Sequence, residues 1–590
     1  MRLLLTVLAC LGTFGGVTQA QASEHSSPSL DLAQLAPPST LVFVDLGGIS
    51  PVLEEGLEHP LIEMLLDSEL GEQLLSQSPL TPEDALALGQ ATLGRAVLPT
   101  LAGLTDGGVI FSLSIKRGKP TFLVAASGKE AAFTRSALED GLRLVAKEFG
   151  VSEASILKPQ GSMRGLDAWF LGDDFAICTS GNLLLISNDE GSLREAADRL
   201  VDGAGASLVD NAGFGEARHD ASGTQPSLWS WVDVDALETQ DTSATADLRA
   251  LVESIPAHFI FGPALASIGA AKQTTAALTL GEAGIELVVE ARGLGNGPAA
   301  MVLPTVGDAP ELRVPVRAKD SARGLLYRDL AGLFLNRNEL FTAKAQPQFA
   351  EATSGLALFF GGEDISDKVL PAISPWLEFV ISDPIFTNGA TPDIPLPAAA
   401  IVAQVDAASD VGNMLISAFQ TAIGIMNIEG AQQMQPQLQL GLELVSGVNL
   451  TSAHYPKPVE GDGVDMRFNL EPACALVGDR FIVGTHRSLV ADLVRKLTGE
   501  GGDGAKGQAR VGSPGESIQL TGSAFARAIR ANASALALNS SLEDGKELAV
   551  AQGEIEGVAM VGDLIERLTL QTRRPAEGRV RVSLKLELVR

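Results

Sequence analysis

The chain has 590 residues, enough for roughly two to four domains with full-sized cores. Hydrophobic residues make up 45% and charged residues 19%, which is typical of a globular protein and not of a disordered chain. The 43 Lys and Arg residues against 72 Asp and Glu residues give a formal charge of −29. Such a surface repels phosphate backbones and anionic headgroups, which argues against general nucleic-acid binding.

The N-terminus has the pattern of an export signal. Arg2 supplies a positive charge, Leu3–Leu11 form an apolar stretch too short to span a bilayer well, and Ala20-Gln21-Ala22 is a small-x-small cleavage site. We therefore expect residues 1–22 to be removed and residues 23–30 to form a flexible N-terminus. The mature protein is then periplasmic or extracellular.

An alternative reading of the same segment is a short lipoprotein signal, with Cys10 as the acylated residue. Beyond the signal we find no run of about 18 uncharged apolar residues, so the sequence predicts no transmembrane segment.

Two short stretches share an alternating pattern. Residues 38–45 read PSTLVFVD and residues 226–233 read PSLWSWVD, with bulky side chains at every second position. A period of two predicts strands with one buried face. The match suggests reuse of a structural unit.

A longer repeat starts at Phe175 (FAICTSGNLLLISNDEGSLREAADRL) and again at Glu471 (EPACALVGDRFIVGTHRSLVADLVRKL). Both copies predict a strand, a Gly-containing turn, a second strand and a helix. In an ungapped alignment Cys178 falls on Cys474, which predicts that the two thiols occupy the same strand of two separate cores. We expect both to be free, buried and unreactive, with Cys178 covered by the predicted helix Leu193–Leu200 and Cys474 by the predicted helix Leu489–Leu497.

Two further pairs of segments keep the same order along the chain. Those starting at Phe122 and at Ala400 predict a strand followed by a helix, and those starting at Thr274 and at Leu568 predict hairpins. The strands are mostly joined by short turns, which favours antiparallel sheets over a doubly wound parallel fold. The sequence therefore predicts an α+β protein made of two tandem, duplicated modules of mostly antiparallel sheet packed with helices.

The Gly- and Pro-rich segment 293–311 carries almost no charge and is the predicted linker between the modules. The first module is then residues 31–292, and the second is residues 312–590. Whether the two modules share one sheet or core is left open.

The sequence nominates no catalytic, cofactor-binding or metal-binding residue. It contains no Gly-x-Ser-x-Gly nucleophile motif, and the Gly-rich segment 499–508 lacks the Lys-Ser/Thr ending of a phosphate loop. No two of the six histidines lie on one predicted helix or strand at the spacing of metal ligands. We therefore expect no cofactor, and we expect an exported binding protein rather than an enzyme.

Trp229 and Trp231 are the most distinctive local feature. Two indoles on one strand face could form a stacking platform for a sugar or for apolar groups of a partner. The matching residues Leu41 and Phe43 have the character of core residues, so burial of the two tryptophans is the competing interpretation.

The segments LAPPSTLVFVDL (Leu35–Leu46) and LLLISNDEGSLREAADRL, with a second copy ending in LVRKL, resemble a family of exported bacterial proteins catalogued as a domain of unknown function. The resemblance implies tandem α+β modules. It brings no activity, cofactor or site residue.

These observations favour an exported, non-catalytic binding or interaction scaffold. A first alternative is a carrier of lipid or another apolar ligand in a module cavity, since the mean hydropathy is +0.19. A second alternative is an exported hydrolase with a dispersed site. The partner is an unidentified protein or apolar ligand, and the sequence leaves the oligomeric state open.

Overall fold

A computed structural model gives the fold of the chain. It describes residues 31–47, 97–149, 152–171, 175–203, 205–221, 226–240, 271–281, 284–295, 320–341, 365–386, 392–456, 466–499 and 515–589, with isolated positions between them. The predicted signal (1–22), the N-terminal tail (23–30) and most of the predicted linker (293–311) lie outside these residues.

The described residues divide between two compact units. The first unit takes those within Met1–Asp247 and Ala271–Gly293, and the second unit takes the rest. The linker assignment and the module boundaries stay predictions.

The first unit is built on ten strands, and every neighbouring pair is antiparallel. The strands are β1 (Thr40–Leu46), β2 (Val109–Lys116), β3 (Lys119–Ser127), β4 (Gly161–Met163), β5 (Leu166–Leu171), β6 (Phe175–Ser180), β7 (Leu183–Ser187), β8 (Leu228–Asp233), β9 (Gln273–Gly281) and β10 (Gly284–Arg292). Their order across the sheet is β4-β5-β6-β7-β3-β2-β1-β8-β9-β10.

The second unit also has ten antiparallel strands in its described residues. They are β11 (Asp320–Tyr327), β12 (Ile373–Ser382), β13 (Ala398–Val405), β14 (Gln439–Val445), β15 (Val448–His454), β16 (Ala473–Val477), β17 (Arg480–Gly484), β18 (Glu516–Thr521), β19 (Ile565–Ala576) and β20 (Arg579–Leu588). Their order is β14-β15-β16-β17-β13-β12-β11-β18-β19-β20.

The two strand orders are the same when the elements are taken in chain order. Even an irregularity recurs, because the register shifts between Thr40 and Val42 in β1 and between Asp320 and Ala322 in β11. The predicted α+β class, with antiparallel sheets packed by helices, is confirmed.

The helices of the first unit lie between these strands. They are α1 (Val97–Leu104), α2 (Ala131–Phe149), α3 (Glu153–Ile156), α4 (Glu190–Asp202), α5 (Ala212–Ala221) and α6 (Val234–Gln240), with a 3₁₀ turn at Leu32–Leu35. The ends of α4 follow local chemistry: the Asp189 carboxylate accepts a hydrogen bond from the Ser192 backbone N–H at 2.8 Å, and Gly203 ends the helix with a φ of 62°.

The second unit contributes seven helices to the described residues. They are α7 (Leu330–Leu335), α8 (Arg337–Leu340), α9 (Val411–Gln432), α10 (Arg487–Leu497), α11 (Gly522–Ala531), α12 (Ala533–Asp544) and α13 (Leu548–Leu564). The predicted strand-helix pairs are confirmed as β3 with α2 and β13 with α9, and both predicted hairpins are confirmed as β9–β10 and β19–β20.

The two similar opening stretches are neighbouring strands, with Phe43 opposite Trp231. The aromatic residues Phe43, Trp229 and Trp231 lie in one cluster with helices α4 and α5, where the Phe214 ring meets the Trp231 ring edge-on at 5.5 Å. The reused pattern therefore provides two adjacent strands of the same core.

The alignment of the two cysteines needs a correction of one residue. The β6–β7 hairpin pairs Cys178 with Leu185, whereas β16–β17 pairs Ala475 with Ile482 at the same distance from its turn. Cys474 is thus one position out of phase. Because a shift of one residue turns a side chain to the other face of a sheet, the two thiols face different helices.

The cores confirm this assignment. Cys178 lies in the cluster that contains Leu193 of α4, as expected. Cys474 instead packs with Val411 of α9, and the opposite face of β16 packs with α10. The expectation that α10 covers Cys474 is wrong.

Candidate functional site

The two tryptophans proposed for an interaction surface are buried. Trp231 is 0% exposed and Trp229 is 6% exposed. Rings of Phe43 and Phe214 meet Trp229 edge-on at 6.0 and 5.6 Å, and the Arg218 guanidinium lies 5.9 Å from its centroid. The structure places this pair in the core instead of on a surface, because its faces are already covered by aromatic neighbours.

Neither thiol has the environment of a nucleophile. Cys178 and Cys474 are free and buried. Burial, with a smaller effect of Asp167, raises the pKa of Cys178 to about 11, and burial raises the pKa of Cys474 to about 12. Both thiols are therefore protonated at neutral pH, as an unreactive structural cysteine should be.

A small polar pocket lies where α10 begins beside β14 and β15. It encloses about 230 Å³ and is lined by Gly441, Leu442, Glu443, Ser452, Ala453, His454, Glu471 and Arg487. The Arg487 guanidinium donates to Glu443 through Nε at 2.7 Å and also through a second nitrogen. The guanidinium that lines the pocket is therefore already paired with a carboxylate. Among the described residues, no group of three or more side chains is placed to bind a metal ion.

Helices α11–α13 of the second unit expose large apolar side chains and bury small ones, which is the reverse of the usual arrangement. The buried residues of these helices are all Gly or Ala: Gly522, Ala524, Ala526, Ala537, Ala551, Ala559 and Gly562. The exposed residues include Phe525, Leu536, Leu538, Leu542, Leu548, Val550, Val558 and Met560. A helix of a soluble protein normally turns its large apolar side chains inward.

The small residues allow close helix contacts. A Cβ placed on Gly562 would stand 3.1 Å from the Cβ of Ala526, and one placed on Gly522 would stand 2.3 Å from the Gly562 carbonyl oxygen. Helices α11 and α13 therefore touch through backbone and methyl groups, which leaves no room for the larger side chains on the inside.

Helix α9 is the second apolar helix of this unit. It has 22 residues, and its most apolar window, with a mean hydropathy of 1.3, is only 17% buried. Length and composition alone would allow it to cross a membrane. Its partly buried residues Met414, Leu415 and Phe419 pack beneath Cys474, so it also serves as a core helix. The absence of a transmembrane segment stays a prediction.

The third apolar feature is strand β14. Leu440, Leu442 and Leu444 alternate along one face and are 54%, 71% and 71% exposed. In the first unit, Phe175, Val201 and Leu287 are the exposed large apolar residues among those described. The exposed apolar surface thus belongs mainly to the second unit.

These surfaces are not apparent from the sequence. One signal was present: Ala551, Ala559 and Gly562 fall on one face of a helix, with Leu and Val on the others. Without the fold, such a helix is equally consistent with burial on all sides.

Comparisons with known proteins identify no family. No family model matches the chain, and no curated protein matches it. A solved structure titled "Structure of crystal form I of TP0453" is similar at 11% identity with a TM-score of 0.23, over 46% of this chain and 81% of that chain. Membership in a family of exported proteins of unknown function stays a prediction.

Proposed function

We propose that the protein is an exported, non-catalytic binding protein made of two duplicated α+β modules, and that it attaches to lipid through helices α11–α13. The observation that carries the proposal is the inverted packing of these helices, with Gly and Ala inside and Leu, Val, Phe and Met outside. The shared strand order and the shared register shift support the duplication.

The inverted pattern has a physical cost in water. Complete burial of a leucine side chain is worth about 1.5–3 kcal/mol, and each of these leucines, which are 37–76% exposed, leaves a part of that transfer free energy unrealised. Helices that meet lipid have the opposite preference, because small residues bring their backbones together while large apolar residues face the acyl chains. A lipid phase is therefore the environment that suits this arrangement best.

The helices are suited to lie in the interface rather than to span it. Helices α12 and α13 have 12 and 17 residues, shorter than the roughly 20 residues of a spanning helix. Their charges are partly compensated, since Lys546 contacts Glu554 at 2.6 Å and Arg530 contacts Asp563 at 2.7 Å. The net charge of −29 favours neutral over anionic headgroups.

Flotation with phosphatidylcholine vesicles tests the proposal. We expect the wild-type protein to float with the vesicles, and we expect the double variant Leu538→Glu with Leu542→Glu to float at least about tenfold less. The estimate follows because removing two exposed leucines from lipid costs well over the ~1.4 kcal/mol that corresponds to a factor of ten. Both side chains are exposed, so the fold should be unaffected.

Val201→Glu is the matched control, because Val201 is an exposed apolar residue on α4 of the first unit. It should float like the wild type. A wild-type protein that stays at the bottom of the gradient at every lipid concentration would refute lipid attachment. Equal losses in both variants would show that any added charge weakens binding, and would reject α11–α13 as the site.

A second candidate, a carrier of one apolar ligand, is favoured by a row of side chains across the second sheet. On the face of Cys474, the register places Val483, Ile401, Phe379, Gly324, Ile518, Leu570 and Leu584 side by side on successive strands. Ile401 and Leu584 are 40% and 38% exposed. An acyl chain lying along this row would cover them.

Solvent extraction of the purified protein, followed by mass spectrometry, tests the carrier. An extracted lipid that is lost in Ile401→Asp and kept in Leu538→Glu with Leu542→Glu would place it on the sheet. An empty extract from the wild type purified without detergent would reject the carrier.

A further inference from the structure

The second sheet ends in an edge strand that lacks the usual protection. Among the described strand pairs, β14 has one neighbour, β15. Natural edge strands are kept from pairing by charged side chains, above all Lys, and by Pro, β-bulges or short length. The one charged residue of β14, Glu443, is paired with Arg487 at 2.7 Å. Strand β14 has seven residues, contains neither Lys nor Pro, and carries its three exposed leucines on one face.

We propose that β14 pairs antiparallel with β14 of a second copy of this chain, about a twofold axis through Leu442. The register follows from the backbone. Ser446 and Gly447 have φ values of 48° and 80°, so they form a two-residue turn whose closing pair, Val445 and Val448, exchanges hydrogen bonds.

Counting back from this closing pair in steps of two assigns each backbone group to one side of the strand. Gly441 and Glu443 direct their N–H and C=O groups to β15. Leu440, Leu442 and Leu444 direct theirs outward, where a further strand can bind them.

The outward edge is limited at both ends. Beyond Leu444 the next outward position is Ser446, which lies in the turn. Before Leu440 the next is Leu438, whose N–H donates to the Asn427 Oδ1 at 2.6 Å and whose carbonyl accepts from the Asn427 Nδ2 at 2.9 Å. The available segment is therefore symmetric about Leu442.

This symmetry makes the strand complementary to itself. Pairing about Leu442 sets Leu442 opposite Leu442 of the copy, and Leu440 opposite Leu444. On the other face Gly441 lies opposite Glu443, so no like charges meet. A register centred on Glu443 would oppose two carboxylates, and one centred on Gly441 would need the occupied backbone of Leu438.

Light scattering and crosslinking of the full chain, without lipid and with Cys10→Ser in every variant, test the proposal. We expect the wild type to have the mass of a dimer at high concentration, and Leu442→Lys to be a monomer because two ammonium groups would face each other on the axis. Ile428→Lys is the matched control: Ile428 is an exposed apolar residue on α9 outside β14, and its variant should remain a dimer.

Crosslinking with a short bismaleimide then tests the register. Leu442→Cys should give a covalent dimer, because its Cα lies ~5.5 Å from that of the copy. Leu440→Cys alone should not, since the two thiols would be ~13 Å apart, whereas Leu440→Cys combined with Leu444→Cys should. Buried Cys178 and Cys474 do not compete.

A monomeric wild type at every concentration would overturn the proposal, as would a dimer that survives Leu442→Lys. Crosslinking by Leu440→Cys alone would reject the register. Because no lipid is present, these results are independent of vesicle flotation, and either property can fail without the other.

Discussion

The strands of the two units follow the same order, but the two rows of strands end differently. In the first unit the row ends at β4, a strand of three residues, Gly161–Met163. In the second unit it ends at the corresponding strand β14, which has seven residues and three exposed leucines. A common strand order therefore fixes which strands are neighbours, but it does not fix the length or the exposed apolar surface of the edge strand.

Equivalent positions away from the edge strands also carry different residues in the two units. The cross-strand pair Phe43 and Trp231 of the first unit corresponds in register to Arg323 and Gln519 of the second. The aromatic pair packs against Phe214 of α5, whereas the Arg323 guanidinium donates to Gln519 Oε1 at 3.0 Å. The same positions hold an apolar core in one unit and a polar contact in the other.

The largest effect should come from this pair. Trp231→Ala removes a fully buried indole and should lower the free energy of unfolding of the first unit by about 3–5 kcal/mol. Gln519→Ala removes the two hydrogen bonds that its Oε1 accepts from the Arg323 guanidinium and should cost about 1.5–3 kcal/mol, the range for hydrogen bonds to a charged group. Amide exchange of β1 and β11 during urea titration measures each unit separately, and equal costs would show that the two positions are not used differently.

A second comparison concerns a buried ion pair. Glu378 and Arg480, 3.4 Å apart, correspond in register to the apolar residues Ile110 and Leu183 of the first unit. Glu378→Ile should destabilise the second unit by about 3 kcal/mol or more, because it leaves the Arg480 charge buried without this carboxylate.

The double variant tests that reason. Glu378→Ile combined with Arg480→Leu transfers the apolar pair to the second unit and should restore the urea midpoint to within about 1 kcal/mol of the wild type. A double variant as unstable as the single one would show that the second sheet depends on the ion pair itself.

Much of the fold could be predicted from the sequence, because alternating apolar residues indicate strands and turn residues between two such runs indicate hairpins. The segments starting at Thr274 and Leu568 are hairpins for this reason. The alignment of Cys178 on Cys474 is wrong by one residue, because the positions of the two turns, and not the identity of the two cysteines, decide which residues are equivalent. In a sheet, one residue decides the face.

The candidate surfaces could not be predicted in the same way. Hydrophobic patterns show which residues avoid water together, but not whether protein, lipid or a second copy covers them. Ala551 and Leu548 are both apolar helical residues, and only the packing shows that the small one is buried and the large one is exposed. The edge position of β14 likewise depends on strand order, which is a property of the whole sheet.

The two thiols provide a test of the corrected register. Leu193→Ala should open the α4 side of the first sheet and speed the reaction of Cys178 with a thiol reagent several-fold, while Cys474 stays as slow as in the wild type. Leu493→Ala, on α10, should leave Cys474 slow as well, because α9 covers that thiol. Mass spectrometry of the labelled peptides measures both rates. Fast labelling of Cys474 in Leu493→Ala would restore the uncorrected alignment.

The smallest expected effect concerns the N-termini of helices α4 and α10, which have different cap residues. Asp189 caps α4: burial raises its pKa, but hydrogen bonds from Ser192 and the nearby charge of Lys116 together lower it below its ordinary value. The corresponding residue of α10 is His486, whose side chain makes no cap hydrogen bond and whose pKa is lowered by burial.

Both groups have a lower pKa in the folded state, so each contributes stability that is lost as the pH falls. For His486 the loss begins below its ordinary pKa of 6.5, whereas for Asp189 it begins only below 3.8. Between pH 7 and pH 5 His486 should therefore weaken the second unit, whereas Asp189 should leave the first unit unchanged over this range. His486→Gln should remove this dependence, and Asp189→Ala should cost the first unit about 1 kcal/mol at neutral pH without creating it. Amide exchange of β7 and β17 across this range separates the units, and an unchanged pH dependence in His486→Gln would assign it to another group.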